Sequence, residues 1–179
     1  MNAVRKISRK DFNQEKLGFF LAGFVEGEGS FNISMRRKLD YKVKWQVVLS
    51  FNVSQKDVSL LNLLKKELGC GIIKVRKIDN LHSFDVTSPL DIIQKVIPYF
   101  QKYPFLSDSK ARNFSLFCKV AKLMEKGEHR NLLGLRKIID LREKINEGKG
   151  RKRKYSITDI FPTKESSETI CRPQEIEMI

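Results

Sequence analysis

Between residues 30 and 53 the chain changes character at every second position. Phe31, Ile33 and Met35 alternate with Asn32, Ser34 and Arg36. After a turn around Leu39 to Tyr41, the residues Val43, Trp45, Val47, Leu49, Phe51 and Val53 alternate with Lys44, Gln46, Ser50 and Asn52. Successive side chains of a strand point to opposite faces, so this period predicts two half-buried strands, over 30–38 and 43–53. A second strand pair follows, with Ile73 and Val75 opposed to Lys74 and Arg76 and, past a turn at Asp79–Asn80, Phe84 and Val86 opposed to Ser83, Asp85 and Thr87. Helical spacing fills the intervals. Asp11 or Asn13 can cap a helix that begins near Gln14 and ends between Glu26 and Gly29. A capping aspartate opens a helix over 57–68, which carries Leu60, Leu61, Leu64 and Leu68 and stops at Gly69. Pro89 opens another, to about Phe100, with Ile92, Ile93, Val96 and Ile97 as its apolar stripe, and two more are predicted near 108–126 and 130–146. The order of elements predicts an α+β fold.

Beyond Glu147 the composition shifts to a basic run at 148–154 and then to a polar stretch with Glu165, Glu168, Glu175 and Glu177. The expected division is one domain over 1–147 and a tail over 148–179, with Tyr155 to Phe161 apolar enough for part of the tail to be ordered. A chain of 179 residues suits that plan, being small for two full domains. Its formal net charge of +14 points to a polyanionic partner. No apolar run approaches membrane-spanning length, so nucleic acid is favoured over a membrane. Cys70, Cys118 and Cys171 are odd in number and lack CxxC spacing, which argues against a disulfide framework or a zinc site and for a reducing compartment. Arg5, Lys6, Arg9 and Lys10 are followed by Asp11 and Glu15 rather than by an apolar segment, so secretion is not expected. An intracellular setting is expected instead, either an organelle (chloroplast or mitochondrion) or a prokaryotic cytoplasm.

The first helix ends against its own electrostatics. Glu26 and Glu28 stand in its last turn, among Gly23, Gly27 and Gly29, where the negative end of the helix dipole costs each acid roughly 0.3–1 kcal/mol. A divalent cation reverses that sign, because carboxylates and free helix-end carbonyls are hard oxygen ligands. The segment LAGFVEGEG, Leu21 to Gly29, resembles position for position the nine-residue signature of the LAGLIDADG homing endonucleases, at the end of a predicted helix and directly before an alternating strand. The resemblance extends over roughly residues 14–126. It implies an α-β-β-α-β-β-α core with a curved antiparallel saddle-like sheet, followed by C-terminal helices.

By the same resemblance the chain is a site-specific endonuclease that cuts double-stranded DNA by metal-dependent phosphodiester hydrolysis. Glu28 is the metal-binding acid, the Gly27 carbonyl a second ligand, and Mg2+ or Mn2+ the cofactor. FNVSQKD matches the segment that supplies a water-ordering glutamine, here Gln55, and PFLSDSKARNF offers Lys110 as the basic residue of the site. The sequence holds a single copy of the signature, and in the family such chains pair as homodimers through the small residues of this helix, which maps the interface to Gly18, Ala22 and Gly23. The polar parity of the strands gathers Asn32, Ser34, Arg36, Lys44, Gln46, Lys74 and Arg76, groups suited to base edges. Lys38, Lys42, Lys77, Lys102 and the run 149–154 suit phosphates along a long, pseudo-palindromic site. The competing reading is a non-cleaving nucleic-acid-binding protein on the same fold, either an intron RNA maturase or a DNA-binding regulator.

Overall fold

Helix α1 (Gln14–Glu28) passes into strand β1 (Gly29–Arg37) with no residue between them. Asn13 starts the helix: its side chain accepts a hydrogen bond from the Lys16 N–H and satisfies one of the donors a first turn leaves open. At the other end Gly29 adopts extended backbone while its N–H still bonds to the Val25 carbonyl. A Cβ there would strike both that carbonyl and the Val25 side chain, so the abrupt junction requires glycine. These relations come from a computed structural model, which describes residues 13–146 and 153–161. Asp11, Cys171, residues 149–152 of the basic run and the acidic end of the tail lie outside the described residues.

The elements that follow are β2 (Trp45–Gln55), α2 (Val58–Leu68), β3 (Ile72–Arg76) and β4 (Leu81–Val86). All pairings are antiparallel and the sheet order is β1-β2-β4-β3, so the two hairpins lie side by side through β2 and β4. Register aligns Gly29 with Val53 and Phe51 with Val86, which brings the inward-facing residues of three strands into one apolar face. Phe31, Ile33, Met35, Trp45, Val47, Leu49, Phe51, Val53, Phe84 and Val86 are all buried on it. Phe31 is a hub of this core: it stacks on Phe51 at 5.0 Å and meets Phe100, Phe105, Phe114 and Phe117 within 6 Å. Each buried ring contributes on the order of 1.5–3 kcal/mol.

Helix α2 is capped by Asp57 and closed by Gly69 in the left-handed region, as its sequence predicts. The next helical stretch runs without a break through α3 (Pro89–Asp91), a π-helical turn (Ile92–Val96) and α4 (Ile97–Lys102). The π turn has a local cause. Pro98 has no N–H to donate, and its ring crowds the carbonyl four residues earlier; the chain widens just upstream, where the Ile97 N–H reaches back to the Ile92 carbonyl. Helices α5 (Asp108–Glu125) and α6 (Leu132–Glu143) complete the core, with Phe114, Phe117 and Val120 of one and Leu135, Ile138 and Ile139 of the other buried. Among the described residues no helix is long and apolar enough to cross a membrane, and Cys70 and Cys118 are free thiols.

Two compact units are distinguished, Met1–Glu147 and Gly148–Ile179. The described part of the second contains a single helical turn, α7 (Ile157–Ile160), with a reciprocal capping box between Ser156 and Asp159.

Candidate active site

Two ridges of small and acidic residues run along α1. Gly18, Ala22 and Glu26, spaced by four, form one of them; Gly23 and Gly27, also spaced by four, form the other. The first faces its own subunit: Gly18 and Ala22 are buried, and a Cβ built on Gly18 would fall within the Tyr103 ring. The second faces outward, since Gly23 and Gly27 are exposed and a Cβ on either meets nothing within 4 Å. Phe19 and Phe20, in the middle of α1, flank it at 49% and 42% exposure, a large apolar area for a helix to leave open.

The two glutamates divide along the same line. Glu26 accepts hydrogen bonds from the N–H groups of Leu106 at 3.0 Å and Ser107 at 2.6 Å. It thereby caps α5 from outside, a helix whose N-cap residue Ser107 makes no side-chain cap of its own. Hydrogen bonding from Ser107 first, and from the Leu106 N–H after it, holds the Glu26 carboxyl below its ordinary pKa. Glu28 is exposed and, among the described residues, has neither a hydrogen bond nor an ion pair.

Lys110, on the first turns of α5, donates from Nζ to the carbonyl of Gly29 at 2.5 Å, one residue past Glu28. Helix α1 has no basic residue in its last turn, and Lys110 brings a positive charge to that negative end from another element. Burial pushes its ammonium below the ordinary lysine range, an effect the nearby Glu26 carboxylate opposes. Gln55 ends β2, two residues past the partner of Gly29, so it lies at the same end of the sheet. Its Oε1 accepts from the Lys56 N–H at 2.9 Å. Lys110 thus reaches the residue after Glu28, and Gln55 stands at the same end of the sheet.

The family model for the LAGLIDADG endonuclease matches residues 21–121, more than half of the chain. The protein belongs to the LAGLIDADG endonuclease family. A probable intron-encoded endonuclease of Neurospora crassa is 33% identical over 130 residues, covering 71% of this chain and 24% of that relative. Among solved structures, the I-LtrWI LAGLIDADG homing endonuclease bound to target DNA is 33% identical with a TM-score of 0.75, covering 84% of this chain and 50% of that one. The homing endonuclease I-TnaI is 30% identical with a TM-score of 0.68, covering 74% of this chain and 89% of that one. The chain thus spans about a quarter of the curated relative and half of the I-LtrWI chain.

Placed on this family fold, several sequence expectations change. Gly18 and Ala22, read as interface residues, are turned into their own core, and only Gly23 of the three is available to a partner. Lys44 is not on β2. It occupies the β1–β2 turn with a positive φ of 61°, its N–H bonds to the Tyr41 carbonyl, and its Nζ is bound to the Leu39 carbonyl at 2.8 Å. Lys38 lies just past the end of β1, in the same turn, with its N–H on the Lys44 carbonyl.

The outer sheet face keeps the rest, in different states. Ser34 and Arg36 are exposed, and Gln46 is half-buried opposite Arg36. Asn32 is only 9% exposed, accepting from Ser30 Oγ and donating to Asn52 Oδ1. Lys74 pairs with Asp85 at 3.2 Å. Arg76 grips Asp79 across the β3–β4 turn with two hydrogen bonds, of 2.8 and 2.5 Å, and this contact draws the Asp79 pKa down to about 2. No pattern in the sequence marks the Leu106–Ser107 receptor for Glu26; a serine that leaves its own helix uncapped is visible only in three dimensions.

Proposed function

We propose that this protein is a metal-dependent, site-specific endonuclease of the homing type that cuts double-stranded DNA as a two-fold dimer of this chain. The observation that carries the reading is the division of labour at the end of α1. Glu26 is consumed by structure, while Glu28 is held on a rigid junction with its carboxylate open, next to the outward Gly23–Gly27 ridge. Among the described residues of one chain no group of three or more His, Cys, Asp and Glu side chains is close enough to hold a metal. One copy offers a single open carboxylate, and a two-fold axis along the glycine ridge would bring a second Glu28 to it. The flanking Phe19 and Phe20 would lose water in the same contact.

The donor set fits a hard divalent ion such as Mg2+ or Mn2+: an open carboxylate on Glu28 and the Gly27 carbonyl, which the helix end leaves without an intrahelical N–H. Such an ion, when bound, supplies polarisation of the scissile phosphate and a more acidic attacking water. The chain supplies the rest. Glu28 holds negative charge at the junction, Lys110 places a compensating ammonium against developing charge, and Gln55, its carbonyl oxygen already turned to Lys56, keeps its amide N–H groups for water or phosphate. The polar outer sheet face then sets where on the duplex this happens. Intron-encoded relatives support a mobile intron as the setting, in an organelle or a prokaryotic cell.

The test is cleavage of a supercoiled plasmid library carrying candidate insertion sites, with magnesium and with manganese. Linear product is expected from the wild type. Glu28→Gln should retain affinity for the same site and leave both strands whole. Tight binding by the wild type without strand breakage under any of these conditions would return the alternative, a nucleic-acid-binding protein on this fold, and sedimentation as a monomer on DNA would remove the dimer.

A further inference from the structure

Among the strand residues of the outer sheet face, one acid stands out. Asp85 of β4 is aligned with Asn52 of β2 on one side and Ile72 of β3 on the other. A carboxylate on a surface built to approach a polyanion repels phosphates, so its presence requires another use. It meets its cation through one contact, where Arg76 holds Asp79 through two. Oδ2 of Asp85 lies 3.2 Å from Lys74 Nζ, and Oδ1 accepts from Ser83 Oγ at 3.0 Å. One ammonium carries three donors and this contact uses one of them, while the Lys74 side chain remains 62% exposed. The pair thus sets a donor and an acceptor side by side at 3.2 Å, the ammonium open and the carboxylate half-buried behind it at 18% side-chain exposure.

A G·C pair presents the complement. Along its major-groove edge the guanine N7 and O6 acceptors are followed by the cytosine N4 amino group, with O6 and N4 separated by about 2.9 Å, the length of the hydrogen bond between them. The separations match to within a few tenths of an ångström. An A·T pair also has an amino group next to a carbonyl. There, however, the ammonium would meet only the lone O4 of thymine beside its methyl group, instead of two purine acceptors. We infer that Lys74 and Asp85 act as one reading unit that selects one G·C pair in each half-site, the Lys74 ammonium donating to guanine O6 and N7 and the Asp85 carboxylate accepting from cytosine N4. This rests on the DNA-binding reading above and adds to it an acid that specifies sequence instead of holding metal. Ser83 is a positioning residue, fixing the carboxylate from the neighbouring site on its own strand.

The experiment is selection from a randomised pool of duplex DNA by the full chain, with sequencing of the bound fraction for wild type, Asp85→Asn, Lys74→Ala and the double variant. Wild type should enrich a G·C pair at one position of each half-site, in orientations related by the two-fold axis. Both single substitutions should relax the preference there by about ten-fold or more, while preferences at all other positions persist. The double variant should be no more relaxed at that position than either single one. Because each preference is read against other positions in the same pool, the result does not depend on the fraction of variant that folds. The proposal is overturned if the two substitutions alter different positions, if they lower binding equally for all sequences, or if the shared position holds A·T. Failure of the wild type to enrich any duplex would overturn the DNA-binding reading as well, and is distinguishable from those outcomes.

Discussion

The inward and outward edges of α1 are made of the same materials and do opposite things. Gly18, Ala22 and Glu26 have the spacing that lets two helices approach closely, and the chain spends it on itself: Tyr103 packs over Gly18 and the start of α5 is tied to Glu26. Gly23 and Gly27 have the same spacing, and a Cβ on either would meet nothing within 4 Å. Small residues permit close approach; which body approaches is decided by where the rest of the chain has gone.

The largest test of that contrast is catalytic. Glu28→Gln should lower DNA cleavage by roughly a thousand-fold with near-native affinity, whereas Glu26→Gln should alter folding stability and leave the rate per folded dimer within a few-fold. Single-turnover cleavage alongside urea melts separates the two; equal rate losses would erase the distinction.

Packing comes next. Gly18→Ala should destabilise the fold by about 1–3 kcal/mol, because the new methyl and the Tyr103 ring claim one space. Gly23→Ala should stabilise the isolated subunit by about 0.5–1 kcal/mol, through better helix propensity, while weakening self-association. Denaturant unfolding with sedimentation at several concentrations reads both signs.

Lys110→Met should reduce cleavage by roughly a hundred-fold with a small loss of thermal stability, because the Gly29 carbonyl loses its donor. Burial lowers the folded pKa of this lysine, so the folded chain binds fewer protons there than the unfolded one, and stability from this group is gained as pH rises toward the ordinary lysine value, about 10.4. At neutral pH burial works against the ammonium, and its hydrogen bond to the Gly29 carbonyl works for it.

The smallest effect lies at acid pH. The Glu26 carboxyl titrates below its ordinary value of 4.5, so its stabilisation is complete above that value and is lost as pH falls through the lower folded pKa. Glu26→Gln should flatten the acid limb of a plot of stability against pH, and an unchanged limb would mean that α5 does not depend on this cap.

Much of the architecture was legible because burial follows period. The inward residues of β1 and β2 and the leucines of α2 that became buried were readable from alternation and helical spacing, and the family signature located Glu28 at a helix-to-strand junction. Lys44 misled because alternation continues through the turn: Val43 is buried, as a strand residue would be, yet the backbone at 44 has left the extended region. Gly18 and Ala22 misled because a helix offers several ridges of period four, and sequence does not say which one Tyr103 will cover. The partners of Lys74 and Arg76 were hidden for a different reason. Asp85 comes within reach of Lys74 only through the β3–β4 register, and the bidentate clasp of Arg76 on Asp79 depends on how the hairpin closes.

The junction at Gly29 has a mechanical meaning. With no linker between the last helical turn and the first strand residue, the proposed nuclease would have no slack in which β1 could settle on a duplex without carrying Glu28 along. A sheet seated on a poorly matched sequence would tilt the acid away from the bond to be broken, so fidelity would be expressed in the speed of cutting before it is expressed in the strength of attachment.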